Sequence, residues 1–87
     1  MGLDTVEIVL WAEKRFGVEM PDDEVGNIST VGEFANYIAN KVNTSKGSNI
    51  SYKDIMPDLL DVLESDYDVP REKVTLNSRF VQDLGFD

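Results

Sequence analysis

Cysteine and histidine are both absent from the 87 residues, and that double absence removes most catalytic chemistry at once. Without thiols there is no disulfide, no thiolate nucleophile and no Cys-type zinc site; without imidazole, most metal and general-base constellations go too. Catalysis would have to rest on carboxylates, hydroxyls or lysine. Basic residues are scarce as well: 8 Lys and Arg stand against 17 Asp and Glu, a formal net charge of -9. That balance disfavours nucleic acid and anionic membranes and favours a partner with a basic patch. No apolar run is long enough to span a bilayer and no signal peptide is evident, so the expected compartment is the cytoplasm. The Asn-x-Ser/Thr matches at Asn27, Asn43 and Asn49 therefore carry little weight, and "MGLDTV" misses the myristoylation pattern because Val6 stands where Ser or Thr is needed.

What is present is helical periodicity. A chain of this length builds one small domain around one core. From 3 to 16, Val6, Val9, Leu10 and Phe16 recur at helical spacing, with Asp4 in the first turn and Lys14 and Arg15 in the last, as the helix dipole favours. Gly17 is a natural stop. "PDDEVGNI" predicts a short helix over roughly 21 to 28, Pro21 opening it and three acids behind. Thr30 and Glu33 form a capping box, and Val31, Phe34, Ala35, Ile38 and Val42 share one face of a helix over 30 to 42. The stretch "NTSKGSNI", residues 43 to 50, is small, polar and unpatterned, and reads as a flexible linker.

Beyond it, Ile55, Met56, Leu59, Leu60, Val62 and Leu63 give another amphipathic helix over roughly 53 to 65. Pro57 is tolerable there if the helix starts near Lys53 or Asp54, whereas a start at Ser51 would put a kink at Pro57. The remainder reads as an ordered loop pinned by apolar residues, with one buried turn around Phe80 and a contact from Leu84. No strand pattern appears. The expected class is all-α, a small four-helix bundle.

Read from end to start, "FVQDLGFD", a Ser and "LDTVEIVL" would make a recognisable signature. With "VTLNSRFVQDLG" and "FGVEMPDDEVGNISTVGEFANYI", the chain resembles an acyl carrier protein over nearly all residues outside the linker. The order is rotated: the family's first helix and loop match 51 to 87, and its second to fourth helices match 3 to 42. The resemblance thus implies a single carrier-like domain over 1 to 87 with permuted topology, opened at the prosthetic-group site and closed through the linker 43 to 50. The linker's composition suggests engineering more than descent.

In that family a Ser in an Asp-Ser-Leu motif carries 4'-phosphopantetheine through a phosphodiester at a helix start, where the dipole favours phosphate. Asp87 and Leu3 match the flanks, but Gly2 holds the Ser position and has no hydroxyl. The implied reading is a carrier fold without its attachment atom, and hence no cofactor on this chain. The resemblance also implies a face of acids, Asp4, Glu7 and Glu13 among them, that meets basic patches of acyl-synthesis enzymes and of a phosphopantetheinyl transferase. Val6, Leu10, Ile28, Phe34 and Ile38 would line the space where the family shelters an acyl chain, and each equally suits a plain bundle core. Trp11 is either partly buried or a partner contact.

No catalytic residue is assigned. Ser45, Ser48, Ser51, Ser65 and Ser78 lack an adjacent activating group. The acid-rich stretches lack calcium-loop spacing, and no carboxylate pair sits in an evidently apolar setting. The function implied is therefore that of a non-enzymatic carrier in fatty-acid or polyketide synthesis, the other reading being an interaction or scaffold module on the same fold. A monomer is expected, with a segment-swapped dimer conceivable through so short a linker.

Overall fold

The computed structural model describes residues 3–87 and contains four α-helices: α1 (Leu3–Phe16), α2 (Asp22–Val25), α3 (Val31–Lys46) and α4 (Tyr52–Tyr67). A single 3-10 turn follows at Arg71–Lys73. Among the described residues there is no strand, only one isolated antiparallel bridge between Thr30 and Arg79. The fold is all-helical, as the periodicity predicts.

Two boundaries differ from expectation. α3 does not stop at Val42; it runs another turn to Lys46 and ends where Gly47 takes a left-handed φ of 67°, its N–H donating to the Asn43 carbonyl. The stretch 43 to 50 is therefore half helix and half turn. The turn is tied down by Asn43, whose Oδ1 accepts from Ser48 Oγ and the Ile50 N–H and whose Nδ2 donates to the Ile50 carbonyl. A small polar composition hid this, because the amide of one asparagine supplies the order that apolar residues do not.

α4 starts at Tyr52, with Ser51 and Asp54 forming a capping box, and continues past Ser65 to Tyr67. Pro57 lies inside this helix. Its ring nitrogen removes the donor that would reach the Lys53 carbonyl. The short helix is only Asp22–Val25, and Pro21 is its N-cap, with extended backbone, in place of a first helical residue.

The core is centred on α3 and α4, which make the most extensive helix contact. Phe34, Ile38, Ile55, Leu59, Leu63 and Val31 are the largest side chains sealed from solvent. α1 adds Ile8, Val9 and Ala12, and the segment after the 3-10 turn adds Phe80 and Phe86. Phe80 meets Phe34 edge-on at 5.8 Å and Phe86 at 5.3 Å, while Phe86 lies 4.6 Å from Tyr67. Aromatic pairs at these separations add to the burial energy of each ring.

The segment from Thr75 to Phe86 is held by backbone bonds to the start of α3. The first amides of any helix lack intrahelical partners. Here Val31 N–H donates to the Ser78 carbonyl and Gly32 N–H to the Leu76 carbonyl, both at 2.9 Å, and Glu33 N–H donates to Thr30 Oγ1. Phe80 N–H returns the link by donating to the Ser29 carbonyl. The helix start is thus capped by its own box and by a loop remote in sequence.

Glu33 completes that cap. Its Oε1 accepts from the amides and hydroxyls of both Ser29 and Thr30. The Ser29 amide first, then the Thr30 amide, hold its carboxyl below the ordinary value of 4.5. A group depressed in the folded state lends stability above its unfolded pKa and loses it as pH falls through the folded one. The melting-temperature difference between the parent and Glu33→Gln is therefore expected to be constant above pH 4.5 and to close on acidification. A pH series of thermal melts checks this; a gap that widens in acid refutes it.

Candidate carrier site and recognition face

Asp87, one of the expected flanks, lies against the first turn of α1. The Asp87 N–H donates to Asp4 Oδ2 at 3.2 Å, and Thr5 Oγ1 donates to the Asp87 carbonyl at 3.4 Å. The Tyr67 hydroxyl reaches the Asp4 carbonyl at 3.5 Å from the side of α4. Burial, then the charges of Glu7, Asp4 and Asp66, push the Tyr67 phenol up to about 12. The ring stays protonated, as its donor role requires. Leu3 is 74% exposed at this end of α1, and the expected attachment position itself, Gly2, lies outside the described residues.

Of the expected pocket residues, Phe34 and Ile38 are buried and Ile28 is half-buried against the core. Val6 and Leu10 are not part of the buried core: they are 39% and 50% exposed. The reason is helical phase. The buried stripe of α1 runs through Ile8, Val9 and Ala12, and Leu10 lies two residues from Ala12, about 160° around the helix. Both residues instead border an open groove of about 270 Å³ with Val9, Glu13, Met20, Pro21 and Asp22. A smaller, mainly apolar pocket of about 30 Å³ is lined by Thr5, Ile8, Val9, Val25, Ile28, Phe34 and Phe80. That is room for little more than a water molecule.

The expected recognition acids divide by what already occupies them. Glu7 is exposed beside Leu10, Trp11, Lys14 and Tyr67 along a second open groove. Asp4 already accepts from Asp87. Glu13 is half-buried, and its Oε2 accepts the Met20 N–H at 2.8 Å, anchoring the loop that follows α1. Trp11 is half-buried and packs edge-on against Phe16 at 5.8 Å.

Further acids are tied to the bundle itself. Glu24 accepts from the Tyr37 hydroxyl at 2.6 Å and from Lys41 Nζ at 3.2 Å, fastening α2 to α3. The Tyr37 bond first, then Lys41, lower the Glu24 carboxyl, and the Tyr37 phenol is raised in turn by burial and by Glu24. Arg71 clasps Asp61 and Glu64, which lowers Glu64 and ties the 3-10 turn to α4. No group of acids among the described residues is arranged to hold a metal ion.

Several residues that shape this end were not singled out by the sequence pattern. Phe86, 4% exposed, is not among the apolar residues that pin the closing loop in the sequence reading, and Gly32 stands inside an otherwise strong helix. The one signal for Gly32 was its type: glycine is a poor helix former and needs a reason to be there.

No family model matches the chain, and no solved structure matches it. Curated proteins do. An acyl carrier protein of Acidothermus cellulolyticus is 58% identical over 38 residues, 44% of this chain and 45% of that protein. One of Clostridium acetobutylicum is 47% identical over 36 residues, 41% of this chain and 47% of that protein. The chain thus spans a little under half the length of these curated relatives. No described helix is long and apolar enough to cross a membrane. Over that stretch the chain is similar to curated acyl carrier proteins, and its described residues fold as an all-helical bundle.

Proposed function

We propose that the chain is an acyl carrier of the fatty-acid or polyketide type with its segments in rotated order, 51 to 87 corresponding to the family's first helix and loop and 3 to 42 to its later helices. The observation that carries this reading is the meeting of Asp87 with Asp4 and Thr5, which brings the end of the chain to the start of α1 and suits an Asp-Ser-Leu motif opened there. The likeness to curated carriers, strong but confined to under half of each chain, also suits it. A collinear comparison of two rotated sequences aligns one part and loses the other.

The residues present do not fit a phosphopantetheine arm. Attachment needs a side-chain hydroxyl between Asp87 and Leu3, and glycine at position 2 has none. What the chain offers in this reading is the carrier surface: Leu3, Val6 and Leu10 exposed along α1 with Glu7 among them and the outer oxygens of Asp4 and Glu13 beside them. The partner chemistry that fits is a shallow apolar surface rimmed by basic residues, as on acyl-synthesis enzymes and the modifying transferase in the cytoplasm. The missing hydroxyl also favours a second reading, an interaction module that never bears the arm.

Intact mass after incubation with coenzyme A and a broad-specificity phosphopantetheinyl transferase separates the two. The chain as given is expected to keep its mass and the Gly2→Ser chain to gain one arm. If neither gains it, the carrier reading falls and the interaction module stands. Modification of the chain as given would move the site to another hydroxyl.

A further inference from the structure

We propose that two copies of this chain can exchange their 52–87 halves, and that the turn 47–51, clamped by Asn43, holds the balance toward the closed monomer. The main contacts that bind the molecule run between these halves. α3 packs on α4, Phe34 meets Phe80, the Leu76 and Ser78 carbonyls cap α3, and Asp87 reaches Asp4 and Thr5. Only the turn 47–51 links them covalently, between Lys46 and Tyr52.

If that turn straightens, a second copy supplies each of those contacts unchanged. Only what belongs to the turn is lost: the three Asn43 bonds to Ser48 and Ile50, the packing of Ile50 on the core, the left-handed Gly47 and the Ser51 and Asp54 cap. The free-energy difference between closed and exchanged forms is therefore concentrated in a few residues, plus the entropy of association. Each feature of the turn enforces a break between two helices. Gly47 permits the left-handed conformation, Ser51 starts a new helix, and Asn43 bonds the intervening backbone.

Gly47 is a clean probe, because a Cβ there meets nothing within 4 Å and the only penalty of an alanine is the positive φ. The test is light scattering on size-exclusion fractions of the parent, of Asn43→Ala/Gly47→Ala and of Gly32→Ala, each refolded over a concentration series. The parent is expected to be mainly monomeric, and the double variant to raise the dimer-to-monomer ratio by more than about tenfold at equal concentration, because the strain is relieved in both turns of each exchanged dimer. Gly32→Ala disturbs a contact made identically in both forms. It is expected to lower the melting temperature and leave the ratio unchanged.

Donor and acceptor dyes on separate batches of the double variant, at position 40 in one and 61 in the other, report exchange directly. Energy transfer after co-refolding, absent after mixing folded chains, supports the proposal. A double variant that stays folded and monomeric overturns it. So does a dimer that forms equally in Gly32→Ala, which would reflect general destabilisation.

Discussion

Truncating Phe34 to alanine is expected to destabilise the bundle by about 3–5 kcal/mol, the range for removing a buried aromatic ring. Phe34 is 2% exposed and stands where three parts of the molecule meet: α1 through Ile8 and Val9, the α2 region through Val25 and Ile28, and the closing loop through Phe80. The surroundings cannot collapse freely into the gap, because Phe80 is itself fixed by backbone bonds to Ser29 and Phe86. At about 4–8 °C per kcal/mol for a domain of this size, the melting temperature should fall by at least about 12 °C. Since domains of this kind are stable by about 5–15 kcal/mol in total, the variant sits near the edge of folding. Urea unfolding with an unchanged slope and a lower midpoint checks the size. A loss below about 1 kcal/mol would mean that the ring is not the centre of the core.

Gly32→Ala is expected to destabilise by about 1–3 kcal/mol, against the usual gain for this substitution in a helix. In an unobstructed helix alanine is favoured by about 0.5–1 kcal/mol. At Gly32 an added Cβ would lie 2.8 Å from the Leu76 carbonyl oxygen and 3.1 Å from the Leu76 Cβ. That oxygen accepts the Gly32 N–H, so it cannot retreat without breaking the bond that fastens the loop to the helix. The readout is twofold. Thermal melts give the cost, and amide exchange at Val31 and Gly32 should accelerate relative to Ala39 in the same helix. Exposed Asn36→Ala serves as a control within about 0.5 kcal/mol of the parent. A stabilised Gly32→Ala protein would show that the loop yields, and with it the account of how the closing segment is held.

Both residues lie in α3 and touch the closing segment, where the sequence was least legible. Helices α1, α3 and α4 could be read from spacing and caps because those signals are local: Thr30 with Glu33 opens α3, and Gly17 stops α1. The segment 75–86 has no period to read, since its apolar residues answer to neighbours on α3 and α4. Phe86 was missed for that reason: only contact with Tyr67 and Phe80 identifies it as core.

The candidate site divides in the same way. The proposed attachment position between Asp87 and Leu3 is a matter of residue type and order, and the composition alone sets aside thiol and imidazole chemistry. Which face of α1 looks inward is not such a matter. Val6 and Leu10 are as apolar as Ile8 and Val9, and a periodic pattern wide enough to include all four does not say which pair meets α3.

By itself, then, the sequence determined the helical class, the Thr30 and Glu33 capping box, the acidic composition and the lack of thiol and imidazole groups. These depend on local backbone propensity and on functional groups that no folding can add or remove. Tertiary structure alone decided that Val6 and Leu10 face solvent, that Glu13 anchors a loop, that Asn43 orders the turn, and that Asp87 comes to rest on Asp4. Each of these depends on what a remote segment places opposite the residue, and packing and hydrogen-bond satisfaction choose that partner only once the whole chain has closed.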